Sequence, residues 1–257
     1  RWRLYTIVIY MESFRGKNIL ITGAGKGIGF EVAKVLDDAG ANLILHAVSD
    51  ESTERLKATF GYDSHTYFKA DFTKVEELEP LWKAQVNKNL PLDGFVNCVG
   101  MRSRRPLNLL NANHVTEVLT ANITAFIEMV RITTQKEIFR NGMRIVTISS
   151  IAAHSGGVGV TAYAASKAGM EAAVRCLAKE LYKKKVSINT LICGQVNTEA
   201  YGEWVSNSID GKDKVLDRQF VGLATPEEIS KIVLFLLSSE SAFMTGASVP
   251  ADGGFLI

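Results

Sequence analysis

From residue 17 to the C-terminus, short apolar runs alternate with stretches whose apolar residues recur every three or four positions. Residues 17–22 form a near-continuous apolar run of strand length. Ile28, Val32, Val35, Leu36 and Ala39 then follow at helical spacing. Gly40 suits a helix C-terminus, and residues 41–46 read as a second strand. Runs at 65–69, 94–99, 144–149, 186–192 and 247–250 predict five more strands, with helical stretches between them. This alternation predicts an α/β architecture: a parallel sheet covered by helices on both faces. Residues 194–222 follow neither period and are rich in polar residues, which reads as a lid over a site more than a domain boundary. No internal repeat, low-complexity tract or linker interrupts the pattern.

Composition changes the picture little. The chain has 257 residues, 47% of them hydrophobic, which suits one domain. A formal net charge of +2 is too small to suggest a nucleic-acid partner. No apolar run is long enough to predict a membrane span. Cys98, Cys176 and Cys193 are odd in number and form no C-x-x-C pair, so a reducing, cytoplasmic location is expected. Residues 1–10 carry two arginines and a short apolar run without a small-residue cleavage site. They are expected to be an extension preceding a folded domain of residues 11–257.

Gly23, Ala24, Gly25, Lys26, Gly27, Ile28 and Gly29 lie between a predicted strand and a predicted helix. Glycines there permit a tight turn and close approach of a pyrophosphate, which the helix N-terminus attracts. The spacing is G-x-x-x-G-x-G. At the end of the second strand, where an acidic residue would bond a ribose 2′-hydroxyl, stand Ala47, Val48 and Ser49. With no carboxylate to repel a 2′-phosphate, and Lys26 able to pair with one, NADP(H) is expected over NAD. Asp50, slightly further on, argues the other way.

Tyr163 and Lys167 are four residues apart and share one helix face. A phenol keeps its proton at neutral pH, and a neighbouring ammonium favours the phenolate. The pair can therefore move a proton to or from a carbonyl or hydroxyl oxygen. Such pairs are common on helices, so their surroundings decide. Ser150 ends a predicted strand, and the segment from Asn97 to Gly100 ends another, at the edge where open α/β sheets bind ligands.

These residues resemble the classical short-chain dehydrogenases/reductases over residues 14–257. The matching elements are Thr22-Gly-x-x-x-Gly-x-Gly29, Asp71, Asn97-x-x-Gly100, Asn122, Ser150, Tyr163-x-x-x-Lys167, the stretch from Asn189 to Thr198, and Asp252-Gly-Gly254. The resemblance implies a single-domain, Rossmann-like, doubly wound parallel sheet. It implies oxidoreduction of a carbonyl/secondary-alcohol pair, with Tyr163 as acid/base and Lys167 holding the nicotinamide ribose while tuning Tyr163. Ser150 would orient the substrate carbonyl, and Asn122 would hold a water in a relay to Lys167. Asp71, with Phe72 beside it, would meet the adenine, and Asn97 would stabilise the sheet. Val99 and Gly100 would border the cofactor. Gly194, Val196 and Thr198 would meet the nicotinamide end. Two departures stand out: Cys98-Val99 replaces the family's usual Asn-Ala, and Cys193 replaces the usual Pro before Gly194. Buried structural cysteine is the expected reading of both, with a reactive thiol the alternative.

Arg102, Arg104 and Arg105 follow that strand end and could bind an anionic substrate or carrier, or form a solvated rim. The resemblance extends to β-ketoacyl-[acyl carrier protein] reductases, whose basic helix surface matches the region of Arg140 and Lys184. A 3-oxoacyl thioester on a carrier is therefore the expected substrate. His154, Val158, Tyr201, Trp204 and Phe220 are candidates for the pocket wall. The histidines show no metal spacing, so no metal is expected. A homotetramer is implied through the helix at 111–130, the Tyr163 helix and residues 255–257. The alternatives are a non-catalytic NADP-binding regulator or scaffold, and a nucleotide-sugar epimerase or dehydratase.

Overall fold

A computed structural model describes residues 14–206 and 215–257. The expectation for residues 1–10 and the side chain of Trp204 lie outside the described residues. Among the described residues, seven strands form one parallel sheet in the order β3-β2-β1-β4-β5-β6-β7. They are β1 (Asn18–Thr22), β2 (Asn42–Ala47), β3 (Thr66–Lys69), β4 (Leu92–Asn97), β5 (Phe139–Ser150), β6 (Ser187–Cys193) and β7 (Ser248–Ala251). The helices that matter here are α1 (Gly27–Asp38), α2 (Asp50–Phe60), α3 (Val75–Gln85), α4 (Ala112–Leu119), α5 (Ala125–Thr133), the short α6 (Ala152–Ser155), α7 (Thr161–Leu181), α8 (Glu199–Ser206) and α9 (Pro226–Leu237).

The strands alternate between two apolar layers because successive side chains of a strand point to opposite faces. Ile19 and Ile21 enter one layer and Leu20 the other. Leu43 and Leu45 oppose Ile44, and Val96 opposes Phe95, in the same way. The first layer is closed by α1 and α9 through Val32, Leu36, Val233 and Leu236. The second is closed by α3, α5 and α7 through Leu78, Trp82, Phe126, Met129, Met170 and Val174. Burial on both faces explains why these strands read as continuous apolar runs.

Two strands differ from the sequence expectation by more than one residue. β4 covers 92–97 instead of 94–99, so Cys98, Val99 and Gly100 lie past its end, in a turn. β5 begins at Phe139, because Phe139 pairs with Leu92 ahead of a register shift between Leu92 and Gly94. The stretch 194–222 is also less irregular than expected, since it contains α8.

The order reverses between β1 and β4, which part their outgoing connections and leave a crevice at the strands' C-terminal ends. One polar staple spans this point. Thr22 Oγ1 donates to Asn97 Oδ1 at 2.8 Å, and Asn97 Nδ2 donates to Thr147 Oγ1 at 3.0 Å, tying β1, β4 and β5 together inside the sheet.

Candidate active site

A cleft of about 460 Å³ opens at this switch point. It runs from the ends of β2 and β3, past the glycine-rich turn, to Tyr163 and Lys167.

The turn leaves no room for a side chain at Gly23 or Gly29. A Cβ on Gly29 would stand 2.3 Å from the Gly23 carbonyl oxygen. One on Gly23, whose φ is +71°, would stand 2.9 Å from the Cys98 backbone. Lys26 is the N-cap of α1, yet no side chain caps that helix and its first turn holds no acidic residue. His46 braces the turn from below. Its Nδ1 accepts from the Gly23 N–H at 3.0 Å, and its Nε2 lies 3.0 Å from the Ala70 carbonyl oxygen, so the proton belongs on Nε2. Burial lowers its pKa to about 4, keeping the ring neutral.

At the β2 end, α2 begins with a reciprocal cap in which Ser49 Oγ accepts from the Ser52 N–H at 3.2 Å. Ser49, expected at the cofactor, does not line the cleft; its hydroxyl and that of Ser52 both serve this cap, Ser52 Oγ donating to the Ser49 carbonyl oxygen at 3.0 Å. Ser52 and Arg55, one helical turn apart, line it instead, and the Arg55 guanidinium donates to the Gly25 carbonyl oxygen. Neither residue was singled out from the sequence; a cation on the helix after β2 was the available signal. Asp50, the residue that argued against NADP(H), is 85% exposed and pairs with Lys69 at 2.7 Å. Asp71 lines the cleft and accepts from Thr73 N–H and Oγ1 at 2.9 and 2.8 Å. Those bonds hold its pKa below the ordinary value. The Phe72 ring packs against that of His46, centroids 4.4 Å apart and tilted by 42°.

At the other end, Tyr163 opens α7 and Lys167 follows one turn later. Lys167 Nζ donates to the Ile148 carbonyl oxygen at 2.7 Å and is buried, which lowers its pKa to about 8. A Cβ on Gly100 would stand 3.2 Å from Nζ, so glycine is what admits the ammonium. Ser150 does not line the cleft; its Oγ accepts from the Ala152 N–H at 3.2 Å, and its influence on Tyr163 is to lower the phenol's pKa. The sequence reading had Lys167 lower the phenol's pKa. Instead burial raises it, against smaller lowering contributions from the Arg102 charge and from Ser150. Tyr163 is therefore held protonated. Arg102 reaches this end of the cleft, whereas Arg104 and Arg105 are exposed.

Several expected residues stand behind the cleft and not in it. Asn122 lies in a π-turn (Thr120–Thr124) between α4 and α5 and is fully buried. Its Nδ2 donates to Met101 O at 3.1 Å and Ser166 Oγ at 2.8 Å, while Oδ1 accepts from Met101 N–H at 2.6 Å. It thus clamps the loop carrying Arg102 to α7. Gly194 packs on Gln219: a Cβ there would meet Oε1 at 2.4 Å. Val196 is buried and bridges to Ala224. Thr198 does line the cleft, as do Val99 and Gly100. Cys98 lines it too, but burial pushes its thiol up to about 12, and Cys193 likewise, so both stay protonated thiols at neutral pH.

Of the pocket-wall candidates, His154 turns to Glu171 at 3.0 Å, Val158 and Phe220 are exposed, and none of these or Tyr201 borders the cleft. Arg140 pairs with Asp93 at 2.9 Å, and Lys184 donates to the Thr134 carbonyl at 2.9 Å. Among the described residues no group of three His, Cys, Asp or Glu gathers as a metal site, and no helix is long and apolar enough to cross a membrane.

Residues 23–256 match the family model described as enoyl-(acyl carrier protein) reductase. Among curated proteins, the chain is 31% identical to an L-xylulose reductase of Caenorhabditis elegans, covering 94% of this chain and 96% of that one. It is 30% identical to an acetoacetyl-CoA reductase of Shinella zoogloeoides, covering 91% and 96%. The 3-oxoacyl-[acyl-carrier-protein] reductase of Chlamydia muridarum is 30% identical, with 93% and 96% covered. Among solved structures, a blue fluorescent protein from a metagenomic library, in complex with NADPH, superposes with a TM-score of 0.82 at 25% identity, over 95% of this chain and all of the other.

Proposed function

The chain belongs to the short-chain dehydrogenase/reductase family, and from that premise we propose that it is an NADP(H)-dependent reductase of 3-oxoacyl thioesters, acting through Tyr163. The observation that carries this reading is one cleft that holds a turn closed to side chains at Gly23 and Gly29 in its middle and Tyr163 and Lys167 at its end.

The residues fit a dinucleotide. Gly23, Gly27 and Gly29 keep the turn bare, and the uncapped α1 N-terminus offers its N–H groups and dipole to a pyrophosphate. Lys26, Ser52 and Arg55 supply donors and charge where a 2′-phosphate would lie, with Ala47 in place of a carboxylate. Asp71 would hold the adenine side, and Thr198 the nicotinamide side. The bound cofactor supplies the hydride.

The protein's part is the proton. Tyr163, kept protonated by burial, is a general acid for the substrate oxygen, and Ser150 acts on the same phenol by lowering its pKa. Lys167, with a pKa of about 8, can regain and release a proton near neutral pH. The 3-oxoacyl thioester class comes from the reductases named above. We assign the protein to the cytoplasm on its unpaired cysteines, and to a homotetramer on the small exposed face of Ala165, Ala168 and Ala172 on α7. Light scattering at micromolar concentration checks the assembly; a monomeric mass overturns it.

The function is tested by following NADPH oxidation with acetoacetyl thioesters, sugars, steroids and small ketones. Turnover of the acetoacetyl thioester with the highest kcat/KM is the expected result. NADPH binding without turnover of any carbonyl compound would sink the reading.

A further inference from the structure

The three arginines after β4 look equivalent in sequence, but the fold gives them different surroundings. Arg105 donates its backbone N–H to the Gly159 carbonyl at 2.7 Å, and a Cβ on Gly159 would meet the Arg104 side chain at 3.0 Å, so these two pack on an outer loop. Arg102 is half-buried and shares the catalytic end of the cleft with Gly100, Met101, Tyr163 and Lys167.

Its position is held at both ends. At the base, Asn122 grips both the N–H and the carbonyl of the preceding residue, Met101. At the tip, Arg102 Nη2 donates to Gln195 Oε1 at 3.1 Å. Gln195 is in turn fixed, because its N–H donates to Gln219 Oε1 at 2.8 Å and its carbonyl accepts from Gln219 Nε2 at 3.0 Å. A long, flexible side chain anchored at base and tip loses little further entropy when it binds a ligand.

Building on the reductase reading, we propose that Arg102 is a specificity-determining residue whose guanidinium binds the C1 oxygen of a 3-oxoacyl substrate while the C3 carbonyl sits at Tyr163. A guanidinium presents parallel N–H donors that match a carbonyl or carboxylate oxygen. In a 3-oxoacyl compound that second oxygen lies two carbons from the reacting carbonyl, whereas a simple ketone offers nothing there. Arg102 stands near enough for its charge to act on the Tyr163 hydroxyl, which is where the first oxygen docks. The C1 group can be a thioester or a free carboxylate; both present the same acceptor to the same fork.

The test compares wild type, Arg102→Met and Arg102→Lys with an acetoacetyl thioester, acetoacetate and 2-butanone. Arg102→Met is expected to lose at least tenfold more in kcat/KM on both 3-oxo compounds than on 2-butanone, the excess falling mostly in KM. Arg102→Lys should recover part of the loss. A larger loss on acetoacetate assigns the free acid as the source of the oxygen, and a larger loss on the thioester assigns the acyl thioester. An equal proportional loss on all three compounds would place Arg102 in the service of Tyr163 and overturn the proposal, as would no loss. Calorimetry of 3-hydroxybutyrate binding to the NADPH complex, a pair that cannot exchange a hydride, tests the same contact without turnover: at least tenfold weaker binding in Arg102→Met is expected, and equal affinities overturn it. Absence of wild-type turnover with a clear binding difference would therefore count against the reductase reading and not against Arg102.

Discussion

Nδ1 of His46 lies 3.0 Å from the amide nitrogen of Gly23, so a histidine in the second strand holds the first residue of the glycine-rich turn. The bond needs an unprotonated Nδ1, and burial ensures it by lowering the pKa from 6.5 to about 4. The unfolded chain binds this proton more readily than the folded one. Stability from the neutral ring is therefore complete above about pH 6.5 and declines as pH falls toward 4, by on the order of 3 kcal/mol. Urea unfolding of wild type and His46→Gln at pH 7, 6 and 5 checks this. The variant should be less stable at pH 7 but show a flatter decline, and an unchanged decline would rule out His46 as its source.

Tyr163→Phe removes one hydroxyl and leaves the cleft's shape. It should lower kcat by at least about 10²-fold, the ordinary range for general acid catalysis. NADPH affinity, measured by fluorescence titration, should stay within about twofold. Retention of more than a tenth of the wild-type rate on a good substrate would remove Tyr163 as the essential acid.

Lys167→Met should abolish turnover and yet stabilise the cofactor-free protein at pH 7. Burial has lowered the folded pKa from 10.5 to about 8, so the stabilisation present above about pH 10.5 is lost as pH falls through 8. At pH 7 the buried ammonium costs on the order of 3 kcal/mol, against roughly 1.5–2 kcal/mol for its charged hydrogen bond to Ile148. The unfolding midpoint should rise at pH 7, with the gain fading at higher pH. A lower midpoint at pH 7 would show that the carbonyl contact outweighs desolvation.

NADPH should bind at least tenfold more tightly than NADH, about 1.4 kcal/mol. Lys26→Ala with Arg55→Ala should narrow that ratio below threefold, chiefly by weakening NADPH. Titration with both nucleotides decides it: equal affinities in wild type refute the NADP(H) reading, and an unchanged ratio in the variant refutes the role of these two cations.

The elements were legible because they are local. Leu20 between Ile19 and Ile21, and Val32 and Leu36 four residues apart, carry the periods of strand and helix in a few consecutive residues. The same locality put Tyr163 and Lys167 on one helix face and glycines where the turn is tightest. What the sequence left open depends on groups far apart along the chain. Arg55 reaches Gly25 across 30 residues, and Gln195 singles out Arg102 from its two neighbours across 93. The reciprocal α2 cap engages the hydroxyls of both Ser49 and Ser52, so it was the placement of the folded helix that put Ser52 and not Ser49 at the cleft.

The direction of the Tyr163 pKa was of the same kind. A lysine four residues away is a property of the sequence, and by itself it favours the phenolate. Whether the phenol and the ammonium are wet or dry is a property of the packed sheet and helices, and in a dry site desolvation outweighs that attraction. The sequence by itself therefore determined which residues share an element and which face they occupy, since backbone geometry settles both within a few residues. The tertiary structure decided which distant residues meet and in what dielectric, because contact and burial exist only once the layers have closed.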